Sequence, residues 1–190
     1  MSRPALFLDR DGVINVDHGY VYRQDDFEFV DGIFELVAQA HRLGYLVIIV
    51  TNQAGIGRGY YGEADFYALM GWVRDQFVQQ GGKIDAVYFC PEHPEYGIEK
   101  YRRDTEFRKP GPGMFLQAKR EWNIDMKCSI MVGDKPSDME AAYAAGVGTL
   151  FFLTEDTPAI CNAIAISHLS TVLPFLKPVY STITGGDFGR

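Results

Sequence analysis

The sequence predicts an α/β fold: a doubly wound, mainly parallel sheet with helices on both faces. Three observations predict it. Five short apolar runs are continuous rather than alternating, as strands covered on both faces are. Longer segments with helical spacing stand between them, so strand and helix alternate. Acids, a hydroxyl and a lysine follow three of the runs, where an open α/β sheet binds its ligands.

The elements follow in order. Ala5-Leu6-Phe7-Leu8 is the first strand. Residues 16–30 show no period and read as a loop. Ile33, Leu36, Val37, Ala40 and Leu43 recur at helical spacing, with Asp31 as N-cap and Gly44 as the residue after the end. The run from Tyr45 to Val50 is the second strand. Phe66, Leu69, Met70, Val73 and Phe77 mark the second helix, closed by Gly81-Gly82. Ala86-Val87-Tyr88-Phe89 is the third strand, and residues 90–109 form a second long loop. Loops this long in a compact domain are functional or disordered as a rule. A third helix has Pro112 in its first turn and runs through Phe115, Ala118 and Trp122. The fourth strand is Ser129-Ile130-Met131-Val132. Ser137 and Glu140 fit a capping box for the fourth helix, which Gly146 ends. Thr149 to Leu153 is the fifth strand.

Length and composition bound the function. The 190 residues suit one domain with its own core, expected over residues 1–180, with a Gly-rich flexible tail over 181–190. A net charge of −7 argues against a nucleic-acid binder, which needs a basic face. Three scattered cysteines make no disulfide framework and suggest a reducing compartment. The N-terminus has no signal-peptide pattern, and no apolar stretch is long enough to span a bilayer. The expectation is a cytoplasmic protein without nucleic-acid or membrane partners, and by default a monomer.

The strand ends carry the chemistry. Asp9-Arg10-Asp11-Gly12 follows the first strand, Thr51-Asn52-Gln53 the second, and Gly133-Asp134-Lys135-Pro136-Ser137-Asp138 the fourth. One acid at such a place is often a cap; acids and donors at three strand ends are not. Asp9, Asp11 and Asp134 gathered together would repel one another without a hard divalent cation, and Mg²⁺ suits a few carboxylates plus phosphate oxygens. One carboxylate could then attack phosphorus, and another two residues on could protonate the leaving alcohol and later activate water. Thr51 offers a hydroxyl and Lys109 a positive charge to the transferring phosphoryl group. Gly55, Gly57 and Gly59 have the wrong spacing for a dinucleotide loop.

The ordered set Asp9-x-Asp11-Gly12, Thr51-Asn52, Lys109-Pro110 and Gly133-Asp134-x-x-x-Asp138 resembles the haloacid dehalogenase (HAD) superfamily of phosphotransferases. The resemblance spans most of residues 5–153. It implies a HAD-like Rossmannoid fold, Asp9 as nucleophile, Asp11 as general acid and base, and Thr51 and Lys109 as phosphoryl stabilisers. It implies Mg²⁺ held by the side chains of Asp9 and Asp134 and the backbone carbonyl of Asp11. Asp138 would orient Lys135 or a metal-bound water.

A narrower resemblance lies in residues 7–15, 16–21, 51–59 and 108–110. These segments are similar to the D-glycero-D-manno-heptose 1,7-bisphosphate phosphatases, a group without a large cap domain. Histidinol-phosphate phosphatases are their sister group, and Asp17-His18-Gly19-Tyr20 favours the heptose branch. The resemblance implies that Asp17, His18, Gly19, Tyr20, Asn52, Gln53, Ala54, Arg108 and Lys135 contact substrate, with Arg108 on the distal phosphate. It implies hydrolysis of the 7-phosphate, in the supply of nucleotide-activated heptose for a surface glycan such as lipopolysaccharide.

The family often carries a zinc loop, Cys-x-His then Cys-x-Cys before Arg-Lys-Pro. Here Glu92 stands at the histidine position, and Thr105 and Phe107 replace the second cysteines. Cys90 and His93 alone do not complete a four-ligand site, so no zinc is expected. The rival readings are a histidinol-phosphate or other small-molecule HAD phosphatase, and a non-enzymatic receiver-like domain. Asp11 argues against the receiver, which needs no acid two residues after its phosphorylated aspartate.

Overall fold

The computed structural model describes residues 2–155 and 160–179. Among these, six strands form one parallel sheet: β1 (Ala5–Leu8), β2 (Leu46–Asn52), β3 (Ala86–Cys90), β4 (Ile130–Gly133), β5 (Thr149–Leu153) and β6 (Ile164–Ile166), in the spatial order β3-β2-β1-β4-β5-β6. Five helices accompany them: α1 (Ile33–Arg42), the single turn α2 (Ala54–Gly57), α3 (Glu63–Gln79), α4 (Gly113–Trp122) and α5 (Pro136–Ala144). The expected tail, 181–190, lies outside the described residues.

Each strand divides its side chains between two cores, which is why its apolar run is continuous. Leu6, Leu8, Val47 and Ile49 pack with α1 and α3, through Leu36, Val37, Phe66, Val73 and Phe77. Ala5, Phe7, Ile48 and Val50 face the other way, onto Met114, Phe115 and Ala118 of α4 and Met139 and Ala142 of α5. A buried Leu, Ile or Phe side chain contributes about 1.5–3 kcal/mol, so the double cover accounts for most of the driving force. The chain moves outward from β1 through β2 to β3, then returns to place β4 on the other side of β1. That reversal opens a crevice at the carboxyl ends of β1, β2 and β4. No helix among the described residues is long and apolar enough to cross a membrane.

Three helix starts differ from expectation. Gly32, with φ of 81°, caps α1, while Asp31 points outward to 3.6 Å from His168. A left-handed entry suits glycine better than aspartate. Pro112 is the N-cap of α4 rather than part of its first turn. In α5, Pro136 takes the first helical position and Lys135 becomes the N-cap, so Asp138, not Glu140, closes the first turn. Proline suits that position because its missing N–H would be unpaired there anyway. The turn α2, the short outer strand β6 and a 3-10 segment over Leu169–Phe175 were not expected. Each is too short to display a period.

Candidate active site

Asp9 follows β1 directly, and its backbone N–H bonds to the Val132 carbonyl of β4, which fixes the carboxylate at the crevice floor. Lys109 reaches it from outside the sheet. Its ammonium lies 2.8 Å from Asp9 Oδ1, 2.6 Å from Asp138 Oδ1 and 2.8 Å from the Val50 carbonyl, and the residue is 3% exposed. A buried ammonium is tolerable only when paired and hydrogen-bonded in this way. Burial works against its charge, but Asp138 and Asp9 outweigh it and raise the Lys109 pKa. Asn52 holds the lysine's backbone: its Nδ2 donates to the Lys109 carbonyl and its Oδ1 accepts from the Lys109 N–H, both at 3.0 Å. The Asn52 amide therefore positions Lys109 at the crevice.

Asp11 sits in the crevice wall within a dense network. Its Oδ1 accepts from Arg10 Nη2 at 2.7 Å and Asn15 Nδ2 at 3.1 Å, and its Oδ2 from Gln53 Nε2 at 3.0 Å. Gln53 also donates to Thr51 Oγ1 at 2.8 Å, and its own carbonyl accepts from Tyr61 at 2.6 Å. Burial pushes the Tyr61 hydroxyl up to about 12, so it stays a donor. Arg10 is fully buried and also bonds to the Val21 carbonyl at 2.6 Å. Sequence reasoning missed Arg10, Asn15 and Tyr61. The one available signal was Arg10 itself, a cation between two acids directly after a buried strand.

Asp9, Asp134 and Asp138 each bring a carboxylate oxygen within 4.8 Å of the others. Asp138 has both oxygens committed: Oδ1 to Lys109, and Oδ2 to the backbone N–H groups of Asp134 and Lys135 at 3.2 and 3.0 Å. It thus orients Lys109 and the 134–135 backbone, and the Lys135 ammonium turns instead to Asp17 at 3.1 Å. Asp134 Oδ1 is buried without a partner. Burial, then the charge of Asp9, pushes Asp134 up to about 7. Burial and the charge of Asp138 raise Asp9 as well, although Lys109 opposes them. Two carboxylates crowded together, one with an orphaned oxygen, fit a hard divalent cation such as Mg²⁺. Gly12 keeps this corner open: its φ is 98°, and a Cβ there would lie 2.1 Å from Asp134 Oδ2.

Over this floor opens a cleft of about 540 Å³ lined by Asp11, Asp17, Gly19, Tyr20, Asn52, Gln53, Ala54, Arg108, Lys109 and Lys135, among others. Thirteen of the fourteen candidate site residues lie in the cleft or at its floor. The exception is His18, whose Nε2 meets Glu28 at 3.1 Å beside a neighbouring cavity. Burial disfavours the Asp17 charge, but the Gly19 N–H and Lys135 hold its carboxyl below the usual range. Lys135 is raised in turn, because Asp134, Asp9 and Asp17 outweigh its burial.

The loop over 90–109 is tied by polar contacts. Cys90 Sγ lies 3.2 Å from Glu92 Oε2, Arg103 Nη2 lies 2.5 Å from Glu92 Oε1, and Arg108 Nη1 donates to the Glu92 carbonyl at 3.1 Å. Tyr101 fastens the same loop to α3 through Glu63 at 2.6 Å.

A HAD-hydrolase-like family model matches residues 106–166. The D-glycero-alpha-D-manno-heptose-1,7-bisphosphate 7-phosphatase of Burkholderia mallei is 51% identical over 179 residues, which is 93% of this chain and 95% of the relative. The D-glycero-beta-D-manno-heptose-1,7-bisphosphate 7-phosphatase of Vibrio cholerae is 52% identical over 158 residues, 83% of this chain and 85% of the relative. A solved structure of the D,D-heptose 1,7-bisphosphate phosphatase from B. bronchiseptica, complexed with magnesium and phosphate, matches with a TM-score of 0.78 at 26% identity, covering 90% of this chain and 96% of that one. With half its residues shared across nearly its whole length, the chain belongs to the heptose-1,7-bisphosphate 7-phosphatase family of HAD-like hydrolases.

Proposed function

We propose that this chain is a Mg²⁺-dependent phosphatase that removes the 7-phosphate of D-glycero-D-manno-heptose 1,7-bisphosphate through an aspartyl-phosphate on Asp9. One observation carries the reading: Asp9 is held by a buried lysine at the crevice floor, with a second, separately held carboxylate two residues on in the wall. The activities named for the relatives support it.

Asp9 Oδ2 is the oxygen free of Lys109 and attacks phosphorus as the bond to the sugar oxygen breaks. Lys109 and the Thr51 hydroxyl face the phosphoryl oxygens; Thr51 Oγ1 already accepts from Gln53, so its proton is free to be donated. Asp11 gives its proton to the departing alcohol. Its Oδ2 carries one acceptor bond against two on Oδ1, which leaves Oδ2 the less committed oxygen. The resulting carboxylate then takes a proton from water, the water oxygen bonds to phosphorus, and Asp9 leaves as carboxylate with inorganic phosphate. The side chains of Asp9 and Asp134 and the backbone carbonyl of Asp11 would hold Mg²⁺, which would supply positive charge beside the phosphoryl oxygens.

In this reading Asp17, Gly19, Tyr20, Ala54, Arg108 and Lys135 contact the sugar or its second phosphate. His18 joins them only by leaving Glu28. The catalytic unit is one domain over residues 1–180, working in the cytoplasm as a monomer in the supply of nucleotide-activated heptose, with the 90–109 loop held by Glu92 and Arg103 without zinc. Turnover of both anomers of the heptose 1,7-bisphosphate is compared with histidinol phosphate, and the protein's metal content is measured by elemental analysis. We expect one heptose anomer to be the best substrate and zinc to be far below one equivalent. Faster turnover of histidinol phosphate would overturn the substrate, and near-stoichiometric zinc the account of the loop.

A further inference from the structure

Arg58 follows α2 at the rim of the cleft and has no part in the chemistry described above. Its guanidinium carbon lies 4.2 Å from the centre of the Tyr96 ring and 5.8 Å from that of Tyr20, which lines the cleft. Its Nε is buried without a partner. Arg108, also in the cleft, has its pKa lowered by burial and by the positive charge of Arg58. His93 is lowered by burial, and next by Arg108 and Arg58 together. Among the described residues no carboxylate forms an ion pair with either arginine, although the chain carries 25 acids against 18 bases. Two neighbouring guanidiniums without an acid repel each other, and an anion placed between them reverses the sign of that interaction. Lys109 and Thr51 already attend the phosphoryl group at Asp9. The rim pair therefore stands where a second anionic group of the same substrate would lie.

We propose that Arg58 is a specificity-determining residue that, with Arg108, grips the phosphate that is not transferred. Tyr96 serves as the face on which the Arg58 guanidinium rests, leaving its fork free to turn toward phosphate oxygens. The inference rests on the bisphosphate reading above and adds to it a residue which that reading does not use. Because the distal phosphate does not react, its grip strengthens substrate and transition state alike, and losing it raises KM rather than lowering kcat.

The test is steady-state kinetics of wild type and Arg58→Gln on the heptose 1,7-bisphosphate and on heptose 7-phosphate, which lacks the distal group. We expect KM for the bisphosphate to rise about 10- to 100-fold in the variant, the scale of one lost charge-assisted hydrogen bond, with much the smaller change on the monophosphate. Arg58→Lys, which keeps the charge without the fork, should fall between. Equal losses on both substrates, or none on the bisphosphate, overturn the proposal. A wild type with no preference for the bisphosphate overturns the underlying reading instead. Should Arg58→Gln fail to fold, Tyr96→Leu decides the matter at an exposed position: a selective rise in bisphosphate KM supports the proposal, and an unselective or absent effect overturns it.

Discussion

Asp11, the proposed acid–base residue, shows how much surrounding structure such a group needs. Three donors fix its two oxygens, and each donor is held in turn: Gln53 by Tyr61, Arg10 by the Val21 carbonyl, Asn15 by its bond to the Val16 carbonyl. Asp11→Asn preserves the shape and removes the exchangeable proton. We expect a melting curve like that of wild type and turnover at least ~100-fold lower, the usual scale of acid–base assistance, measured by phosphate release. Wild-type turnover would remove Asp11 from the mechanism. At this scale the sequence marked the proposed reacting groups but not the residues that hold them. Asp9, Asp11, Thr51 and Asp134 stand directly after apolar runs, so position alone marks them. Asn15 and Tyr61 act through chain folds that no local pattern encodes, and the contact of the Lys135 ammonium with Asp17 spans 118 residues.

Strands β1 to β5 were readable because burial on two faces makes their runs continuous, and the helices because each buries one stripe. The caps were less so, since an N-cap depends on backbone entry geometry as well as residue type. The loop over 90–109 could be recognised as long and irregular, but its tie through Glu92 could not. Glu92 joins Cys90 and Arg103 there, and burial, followed by the bond to Glu92, pushes the Cys90 thiol up to about 12. The sign of the pH effect follows. Above pH ~9 an unfolded chain ionises this thiol while the folded one keeps it protonated, so its contribution to stability is full below that pH and is lost as pH rises toward 12. Denaturation measured between about pH 8 and 10, roughly one unit either side of the free thiol's pKa, should show a decline that Cys90→Ala makes shallower. With a thiol reagent at pH 8, roughly the free-thiol range, exposed Cys128 should react at once and buried Cys90 only on unfolding. Rapid labelling of Cys90 in the native protein would show the tie to be open.

The whole molecule is acidic, yet its cleft is lined by Arg108, Lys109 and Lys135. Charge is sorted by position, so the net −7 speaks only against polyanionic partners. The excess negative charge at the crevice floor lies on Asp9 and Asp134. Binding Mg²⁺ there should stabilise the folded state, by about 2.7 kcal/mol at a hundred times the dissociation constant. Thermal melts with increasing Mg²⁺ should therefore move upward, chelation should abolish turnover, and Asp134→Asn should lose most of the upward shift. A wild-type melting temperature indifferent to Mg²⁺ would argue against the site. The order of the sheet has one more consequence. β1 lies between β2, the next strand in sequence, and β4, a much later one, and Lys109 meets Asp9 across 100 residues. The crevice therefore needs the long-range pairing of β1 with β4. Recovery of turnover after dilution from denaturant should then report that pairing, and a chain cut before β4 should release no phosphate.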